Sequence, residues 1–369
     1  MKEKGQAAEV LRVAGTMSGT SLDGVDIAVI ETDGHKIHGF GETRYRPYSD
    51  TEREILRAAL GKWPGEAGVD EAARIVEDAH IEVLADLDKV DLIGFHGQTL
   101  AHAPELARTH QAGSGEILAD KLGIPVVWDF RTLDMRMGGQ GAPLAPFYHW
   151  ACAMHIGATD PVAFLNLGGV GNLTWIDPSK GRPDAKGALI AFDTGPANAP
   201  MDDLVFRKLG QRFDTDGQLA GQGSLDQPVL NAFLKRPYFS KMPPKSLDRD
   251  AFSDLVDLVG VLSVEDAMAT LAACAAGSVA RGFEHLPQTP AFMLVGGGGR
   301  KNPILMEMIA ALVDIPVLPV EEAGFDGDAL EAQAFAHLAM RVRMALPTSA
   351  PGTTGVRAAI GSGQVAEPM

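Results

Sequence analysis

A carboxylate at the end of an apolar segment is the group in this 369-residue chain best placed for acid–base chemistry. Residues 192–198 read F-D-T-G-P-A-N, where Asp193 ends a predicted strand and precedes a turn and a helix. An aspartate in this position can project into a cleft and accept a proton, but it can also cap the helix. The sequence favours a catalytic base and leaves the helix cap open.

Two glycine-rich turns between predicted strands are suited to phosphate binding. Residues 15–24 read G-T-M-S-G-T-S-L-D-G, and residues 166–174 read N-L-G-G-V-G-N-L-T. Short residues let the backbone approach an anion, and successive N–H groups can form an anion-binding nest. Neither turn is a P-loop, and each alone could be a simple hairpin connection. Together they predict a two-sided clamp on a polyphosphate, with Asp23 and Asp26 able to order Mg²⁺ through water.

Two further polar clusters follow short apolar strands, a position from which side chains commonly face a cleft. They are F-H-G-Q-T-L-A-H at 95–102 and D-F-R at 129–131. His96 and His102 lack a third ligand at metal spacing, which argues against a zinc site. The aspartate and arginine of the second cluster could instead form a structural ion pair.

Four consecutive glycines follow another predicted buried strand, in M-L-V-G-G-G-G-R-K-N-P at 293–303. Glycine has no side chain, so a flat group can lie against the backbone there. The segment predicts contact with an adenine ring or its ribose. A tightly packed turn is the alternative.

The composition is that of an acidic globular protein. With 48 acidic and 32 basic residues, the net charge is −16, which disfavours nucleic acid or an anionic membrane as a partner. Cys152 and Cys274 lie in apolar stretches, as buried thiols do, and suggest no metal cluster or disulfide framework. No signal-peptide core and no apolar run of ~18 residues is present, so we expect a cytoplasmic protein.

The hydrophobic periodicity predicts a mixed α/β chain in two halves. Each half opens with two strands joined by one of the glycine-rich turns and continues as alternating strands and helices. The Gly/Pro-rich stretch 138–146 is the predicted hinge. It divides the chain into an N-terminal domain at 1–140, which the C-terminal tail could join, and a C-terminal domain at 141–369. We expect the small, polar tail beyond Pro347 to be loosely held.

Several motifs together resemble those of the anhydro-N-acetylmuramic acid kinase family. The specific ones are M-S-G-T-S-L-D-G-V-D at 17–26 and G-G-Q-G-A-P-L at 138–144. H-G-Q-T, D-F-R, N-L-G-G-V-G-N-L-T, F-D-T-G-P, P-K-S at 244–246 and E-A-x-A-F-A at 331–336 accompany them in family order. The resemblance spans about residues 15 to 340. It implies the actin/Hsp70/sugar-kinase fold, with two α/β domains and a nucleotide cleft between them.

The resemblance also implies a coupled reaction. Water opens the 1,6-anhydro bridge of 1,6-anhydro-N-acetylmuramic acid at the anomeric carbon, while O6 takes the γ-phosphate of ATP in the presence of Mg²⁺. The product, N-acetylmuramic acid 6-phosphate, belongs to peptidoglycan recycling, and the family suggests a homodimer. The alternatives are a kinase for another anhydro-sugar such as levoglucosan, or a non-catalytic nucleotide-binding protein of the same fold.

The motifs and the resemblance together assign residues to three roles. The catalytic base is Asp193. The ATP-binding positions are Gly19, Thr20, Ser21, Leu22, Asp23, Gly24, Val25, Asp26, Gly168, Gly169, Asn172, Gly296, Gly297, Gly298 and Asn302. The substrate-binding positions are His96, Gln98, Arg131, Asn166 and Glu331. We expect no protein side chain to ligate the metal directly.

Two segments depart from the family pattern. Ala197 stands where the family usually has the second glycine of G-P-G-N. Alanine would cost on the order of 1 kcal/mol there if the backbone needs a positive φ. In addition, P-K-S is followed by L-D-R instead of the commoner T-G-R, so loop 243–250 could contact the substrate differently.

Overall fold

The structure, a computed structural model, describes residues 9–19 and 21–369. Within them the strands are β1 (Leu11–Ser18), β2 (Gly24–Thr32), β3 (Ile37–Pro47), β4 (Leu92–Ala103), β5 (Arg108–Ala112), β6 (Val126–Trp128), β7 (Val162–Leu167), β8 (Val170–Ile176), β9 (Leu189–Pro196), β10 (Met293–Gly296), β11 (Val317–Pro319) and β12 (Gln364–Ala366). The α-helices are α1 (Asp50–Ala59), α2 (Val69–Ala85), α3 (Gly115–Leu122), α4 (Thr132–Arg136), α5 (Pro146–His155), α6 (Asn198–Leu209), α7 (Gln218–Gln222), α8 (Gln227–Leu234), α9 (Asp254–Leu258), α10 (Val264–Phe283), α11 (Pro303–Val313) and α12 (Leu330–Arg343).

The chain divides into two compact units, each of mixed α/β structure as predicted. Unit 1 consists of Met1–Gly157 and Ala329–Met369, and unit 2 of Ala158–Asp328. The division differs from the predicted domains, because α5 stays with unit 1 and the chain returns to unit 1 at its last helix. The predicted hinge at 138–146 precedes the boundary at residue 157, and the prediction had left open that the C-terminal tail joins the N-terminal domain.

Unit 1 is built on a seven-stranded sheet in the order β12-β6-β4-β1-β2-β3, with β5 paired to β4. The central pairs β1–β4 and β4–β6 are parallel, and the hairpin pairs β1–β2 and β2–β3 are antiparallel. Side chains of α1, α2 and α3 form a hydrophobic core with one face of this sheet, which includes Ala14 and Ile93. The other face carries α12.

Helix α12 approaches the sheet closely because glycines lie beneath it. A Cβ on Gly15 of β1 would lie 1.9 Å from the carbonyl oxygen of Ala332, and one on Gly94 of β4 would lie 2.2 Å from that of Phe335. Successive residues of a strand point to opposite faces, so Gly15 and Ala14 serve the two faces in turn. This backbone-on-backbone packing holds the C-terminal helix in unit 1.

The C-terminal tail is tightly bound, so the prediction of a loosely held tail was wrong. Thr348, Ser349, Thr354 and Ser362 are buried, and β12 pairs with β6. The fully buried carboxylate of Asp134 accepts hydrogen bonds from the hydroxyls of Ser349 and Thr354. Their small size and polarity suggested exposure to solvent, but two of these hydroxyl groups donate hydrogen bonds to the buried carboxylate of Asp134.

Unit 2 is built on a five-stranded sheet in the order β11-β10-β7-β8-β9. The antiparallel strands β7, β8 and β9 are followed in space by the parallel strands β10 and β11. The alanine-rich helix α10 is largely buried, and the side chain of Ser263 caps it by accepting the N–H of Asp266. Both cysteines of the chain are buried, Cys274 within this core.

Two strands extend further than the sequence pattern indicated. β4 continues through H-G-Q-T to Ala103, because β5 pairs with its second half. β9 continues to Pro196, because β8 pairs with it beyond Asp193. The H-G-Q-T segment and the residues from Asp193 to Pro196 therefore lie on strands and not in loops. Across the described residues, no helix has the length and hydropathy needed to span a bilayer.

We expect Gly15→Ala to destabilise unit 1 by about 3 kcal/mol, because its methyl group would collide with rigid helix backbone. Gly39→Ala is the matched control, since a Cβ there meets the flexible side chain of Glu31 at 3.2 Å. Urea unfolding measures both changes. Equal stability of the two variants would contradict the packing of α12 described above.

We expect Asp134→Ala to lower the free energy of unfolding by about 3 kcal/mol, because it strands two buried hydroxyls and the N–H of Gly141. The control is Asp120→Ala, which removes an exposed carboxylate of the same unit. Thermal and urea unfolding compare the two. A change below about 0.5 kcal/mol for Asp134→Ala would show that the tail does not depend on this carboxylate.

Candidate active site

The carboxylate of Asp193 in unit 2 is held at both of its oxygens. Oδ1 accepts a hydrogen bond from Nδ2 of Asn172 at 2.8 Å, and Oδ2 accepts one from the backbone N–H of Leu247 at 2.7 Å. The backbone of Asp193 is fixed as well. Its N–H donates to the carbonyl of Lys245 at 3.0 Å, and the hydroxyl of Tyr238 donates to its carbonyl at 2.5 Å. The side chain therefore has a defined orientation on β9.

Burial raises the pKa of Asp193 to about 6. The hydrogen bonds from Asn172 and Leu247 favour the charged form and limit this rise, whereas the carboxylate of Asp248 adds to it. At pH 7 most of the population is deprotonated, yet it is more basic than an ordinary aspartate. Geometry and pKa together suit a general base.

The second glycine turn, between β7 and β8, is joined to the start of α6. The carbonyl of Gly168 accepts the N–H of Asn198 at 3.0 Å, and that of Gly169 accepts the N–H groups of Ala197 and Ala199 at 2.9 and 3.2 Å. Ala197 is the N-cap of α6, so the helix is not capped by the carboxylate on β9. Its φ is −124°, and alanine therefore avoids the cost of a positive φ.

The four-glycine turn after β10 is packed tightly at two of its positions. A Cβ on Gly297 would lie 2.3 Å from Oδ1 of Asn166, and one on Gly299 would lie 2.6 Å from Cβ of Leu167. At Gly298 the nearest neighbouring atom would be 3.7 Å away. Tight packing thus explains two of these glycines, and Gly298 keeps space for a ligand.

Two other predicted ATP-binding residues have local structural roles. Gly296 ends β10 opposite Asn166 of β7. Asn302 caps α11 by accepting the N–H of Leu305 at 3.1 Å. Nucleotide binding by Gly296 and Asn302 stays a prediction.

The first glycine turn connects β1 to β2 in unit 1. The N–H of Leu22 donates to the carbonyl of Gly19, and Leu22 has a φ of 57° with a buried side chain. The hydroxyl of Ser21 and the N–H of Gly24 donate to Oδ1 of Asp23 at 2.8 and 3.1 Å. Of Leu22, therefore, only the backbone could meet a phosphate.

The other predicted ATP-binding residues of this turn are Thr20, Val25 and Asp26, of which Asp26 carries the carboxylate that could help to bind a metal ion. Thr20 lies outside the described residues, Val25 is buried in the core, and Asp26 is half-buried on β2. Within residues 9–19 and 21–369, no three His, Cys, Asp or Glu side chains come together as a metal site. The exposed Asp23 and the half-buried Asp26 fit an ion that is held mainly by nucleotide phosphates and water.

His96 and Arg131 form a hydrogen-bonded pair in unit 1. Nε and Nη2 of Arg131 lie 3.2 and 2.9 Å from Nε2 of His96. Because a guanidinium only donates, Nε2 accepts, and the ring proton is on Nδ1, 2.7 Å from the carbonyl of Gly97. Burial, reinforced by the charge of Arg131, holds the pKa of His96 well below its usual range. His96 is therefore a neutral imidazole.

Arg131 remains a cation at neutral pH. Burial lowers its pKa to about 10, and the charges of Glu331 and Asp134 partly offset this effect. Glu331 lies in the first turn of α12 and is exposed. Asp129, the alternative ion-pair partner, accepts a hydrogen bond from Gln364 at 2.9 Å. Nη1 of Arg131 donates to the carbonyl of Gly141 at 2.6 Å, so only the remaining N–H groups of this cation could meet an anionic group of a ligand.

Gln98 is fully buried and is occupied by protein groups. Its Oε1 accepts a hydrogen bond from the hydroxyl of Ser18, and its Nε2 donates to the carbonyl of Thr99. It links β4 to β1. The arrangement lends its predicted sugar contact no support.

A cavity of about 140 Å³ lies beside His96 in unit 1. Its lining includes Thr109 and Gln111 of β5 and Trp128 of β6. Sequence reasoning missed these residues because R-T-H-Q-A belongs to none of the motifs. The run of four polar residues at 108–111 is the signal that could have drawn attention to Thr109 and Gln111, and no motif includes Trp128.

Sequence reasoning also missed Tyr238 and the backbone of Leu247, which contact Asp193. P-K-S at 244–246 identified the loop that contains Leu247 but not its contact with Asp193, and Tyr238 lies before that loop. Of the predicted residues, unit 2 brings Asn172 beside the base and Asn166 beside Gly297. The other predicted substrate-binding residues belong to unit 1.

The sequence comparisons with known proteins agree on one family. The family model described as anhydro-N-acetylmuramic acid kinase matches residues 11–367. The anhydro-N-acetylmuramic acid kinase of Ruegeria sp. (strain TM1040) is 62% identical over 358 residues, with 97% of this chain and 95% of that protein covered. The kinase of that name from Cereibacter sphaeroides is 62% identical over 354 residues, covering 96% and 95%.

A solved ROK family glucokinase from Streptomyces griseus, in complex with glucose and AMPPNP, is 15% identical, with 89% of this chain and 99% of that chain covered. Its TM-score is 0.40, too low to carry an argument about fold or ligands. The family match has no such weakness, because it combines high identity with nearly complete coverage of both sequences. This chain belongs to the anhydro-N-acetylmuramic acid kinase family.

Proposed function

We propose that this protein uses ATP to convert 1,6-anhydro-N-acetylmuramic acid into N-acetylmuramic acid 6-phosphate, with Asp193 as the base. Membership of the family supports the reaction. The observation that carries the assignment of the base is the half-buried carboxylate of Asp193, held at both oxygens and with a pKa raised to about 6. A cytoplasmic role in peptidoglycan recycling is part of the same proposal.

The proposed chemistry couples two bond changes. Asp193 takes a proton from water as the water oxygen bonds to the anomeric carbon, and the bond from that carbon to O6 breaks. O6 takes the γ-phosphoryl group of ATP, and ADP leaves. The proton on Asp193 passes to solvent after the product departs.

The environment of Asp193 suits the first of these changes. Hydrogen bonds from Asn172 and Leu247 fix the carboxylate, so that it need not reorganise when it takes the proton of the attacking water. Burial keeps its basicity above that of an exposed aspartate. Orientation and basicity thus come from the same few contacts.

Unit 1 offers the groups proposed for sugar recognition. Arg131 supplies a cation for an anionic group such as the lactyl carboxylate of the sugar. Neutral His96 holds the guanidinium of Arg131 and borders the cavity of about 140 Å³. Glu331, the other family position, contributes a carboxylate at the start of α12.

The glycine turns are proposed to hold ATP through their backbone. The candidates are the turn that contains Gly19 and Gly24, the turn that contains Gly168 and Gly169, and Gly298. Mg²⁺ bound to the nucleotide would neutralise phosphate charge, with water linking it to Asp23 or Asp26. A homodimer remains part of the proposal.

The purified protein, incubated with ATP, Mg²⁺ and 1,6-anhydro-N-acetylmuramic acid in ¹⁸O-water, is expected to give a ring-opened 6-phosphate with one label at the anomeric oxygen. Mass spectrometry identifies the product. Asp193→Asn should lower the rate at least about a hundredfold, because an amide cannot take the proton. ATP binding, measured by calorimetry, should persist in this variant.

The same assay with levoglucosan decides between the sugars. Faster turnover of levoglucosan than of 1,6-anhydro-N-acetylmuramic acid would overturn the proposed substrate. ATP binding without phosphorylation of either sugar would favour a non-catalytic nucleotide-binding protein. An unlabelled 6-phosphate would remove water as the nucleophile.

We expect kcat/KM to fall as the pH drops through about 6, because protonated Asp193 cannot act as a base. Asn172→Ala should move this acidic limb to higher pH, since it removes a hydrogen bond that favours the charged carboxylate. Asn231→Ala, on an exposed part of α8, is the control. An acidic limb at the same pH in all three proteins would contradict the role of Asn172.

A further inference from the structure

The segment from Tyr238 to Leu247 encloses Asp193 by hydrogen bonds to its backbone and side chain. The hydroxyl of Tyr238 meets the Asp193 carbonyl, the carbonyl of Lys245 accepts the Asp193 N–H, and the N–H of Leu247 reaches the carboxylate. Two of these three contacts, those of Lys245 and Leu247, use backbone groups of loop 243–250. The position of the loop backbone therefore sets the position of a hydrogen bond to the proposed base.

The side chain of Lys245 is buried beneath this loop, and the residue is only 2% exposed. Its Nζ lies 3.4 Å from the carbonyl of Tyr238 and 3.2 Å from Nε2 of His285. It also lies over two aromatic rings, 4.7 Å from the centroid of Tyr238 and 5.5 Å from that of Phe192. Phe192 directly precedes the base, so the ammonium group joins the loop to the strand that carries Asp193.

Burying an ammonium group is costly, and its surroundings here only partly compensate. Arg281 and Lys241 oppose its charge, and Glu284 favours it. The carbonyl and the two rings supply the nearest favourable contacts. Burial lowers the pKa of Lys245 to about 8, so at neutral pH it still carries its proton. A hydrophobic side chain of similar size would fill this space at lower cost, which points away from a purely packing role.

We propose that Lys245 is a positioning residue, whose buried cation fixes loop 243–250 so that the N–H of Leu247 reaches Oδ2 of Asp193. The inference rests on the proposed function for its kinetic consequence and on the structure alone for the anchoring of the loop. Without the cation, the loop loosens and Oδ2 loses its donor. The charged carboxylate is then less favoured, and its orientation is no longer fixed.

The test compares Lys245→Met, which keeps the length and removes the charge, with Lys245→Arg, which keeps the charge. In Lys245→Met we expect kcat to fall roughly 10- to 100-fold, with KM for ATP little changed. The acidic limb of the pH–rate profile should move to higher pH, because a hydrogen bond that favours charged Asp193 is lost. Lys245→Arg should recover much of the rate and keep the acidic limb in place.

Charged and ionisable side chains lie close to both Asp193 and Lys245. Asp248 and Tyr238 lie near Asp193, and His285, Arg281, Lys241 and Glu284 surround Lys245. Lys208→Met is the matched control. It removes an exposed lysine of the same unit that contacts one backbone carbonyl. It should leave the profile unchanged.

Hydrogen exchange of loop 243–250, followed by mass spectrometry, supplies a readout that needs no substrate. Faster exchange in Lys245→Met than in the wild type or Lys208→Met would support the anchoring even if neither sugar were turned over. Unchanged exchange would overturn the inference, whatever the activity. A fall in kcat that only matches a loss of folded protein, with the acidic limb unmoved, would also overturn it and leave Lys245 a structural residue.

Discussion

The proposed chemistry depends on the half-buried carboxylate of Asp193, both of whose oxygens are hydrogen-bonded. Burial alone would push Asp193 towards its neutral form, and hydrogen bonds alone would make it a weak base. The contacts from Asn172 and Leu247 balance these effects and leave its pKa near 6. A base that is charged at neutral pH and held in one orientation is the result. In unit 2, strands β8 and β9 and loop 243–250 maintain this balance between burial and hydrogen bonding.

The two residues that donate hydrogen bonds to the carboxylate of Asp193 are held in place in different ways. Asn172 is fixed by the ladder between β8 and β9, which places it opposite Asp193. Leu247 belongs to a loop without regular secondary structure and needs another anchor, for which the buried Lys245 is our candidate. In unit 1, a charged side chain is likewise oriented by a neutral group, because Arg131 donates a hydrogen bond to neutral His96. In both units, polar groups are held by other polar groups close to where chemistry is proposed.

The sequence predicted the family and the α/β class, because these depend on motifs and on periodicity. It did not predict the contact from Leu247, since a backbone N–H 54 residues away along the chain leaves no side-chain signature. It mistook the tail for a loose segment, because the carboxylate that binds Ser349 and Thr354 lies more than 200 residues away. It also gave no sign that the side chain of Gln98 pairs with Ser18, 80 residues away along the chain. These omissions and the wrong prediction for the tail share one cause, because polar contacts between residues far apart in the chain leave no signal in the local sequence.

The most direct test of Asp193 as the base is chemical rescue of Asp193→Ala by azide. Azide needs no deprotonation, so it can bond to the anomeric carbon without a base while O6 takes the phosphoryl group from ATP. We predict that Asp193→Ala is nearly inactive in water and that azide restores turnover, giving a glycosyl azide 6-phosphate detectable by mass spectrometry. A variant that binds both ATP and the sugar but gains nothing from azide would contradict the account. So would a variant that retains wild-type hydrolysis without azide.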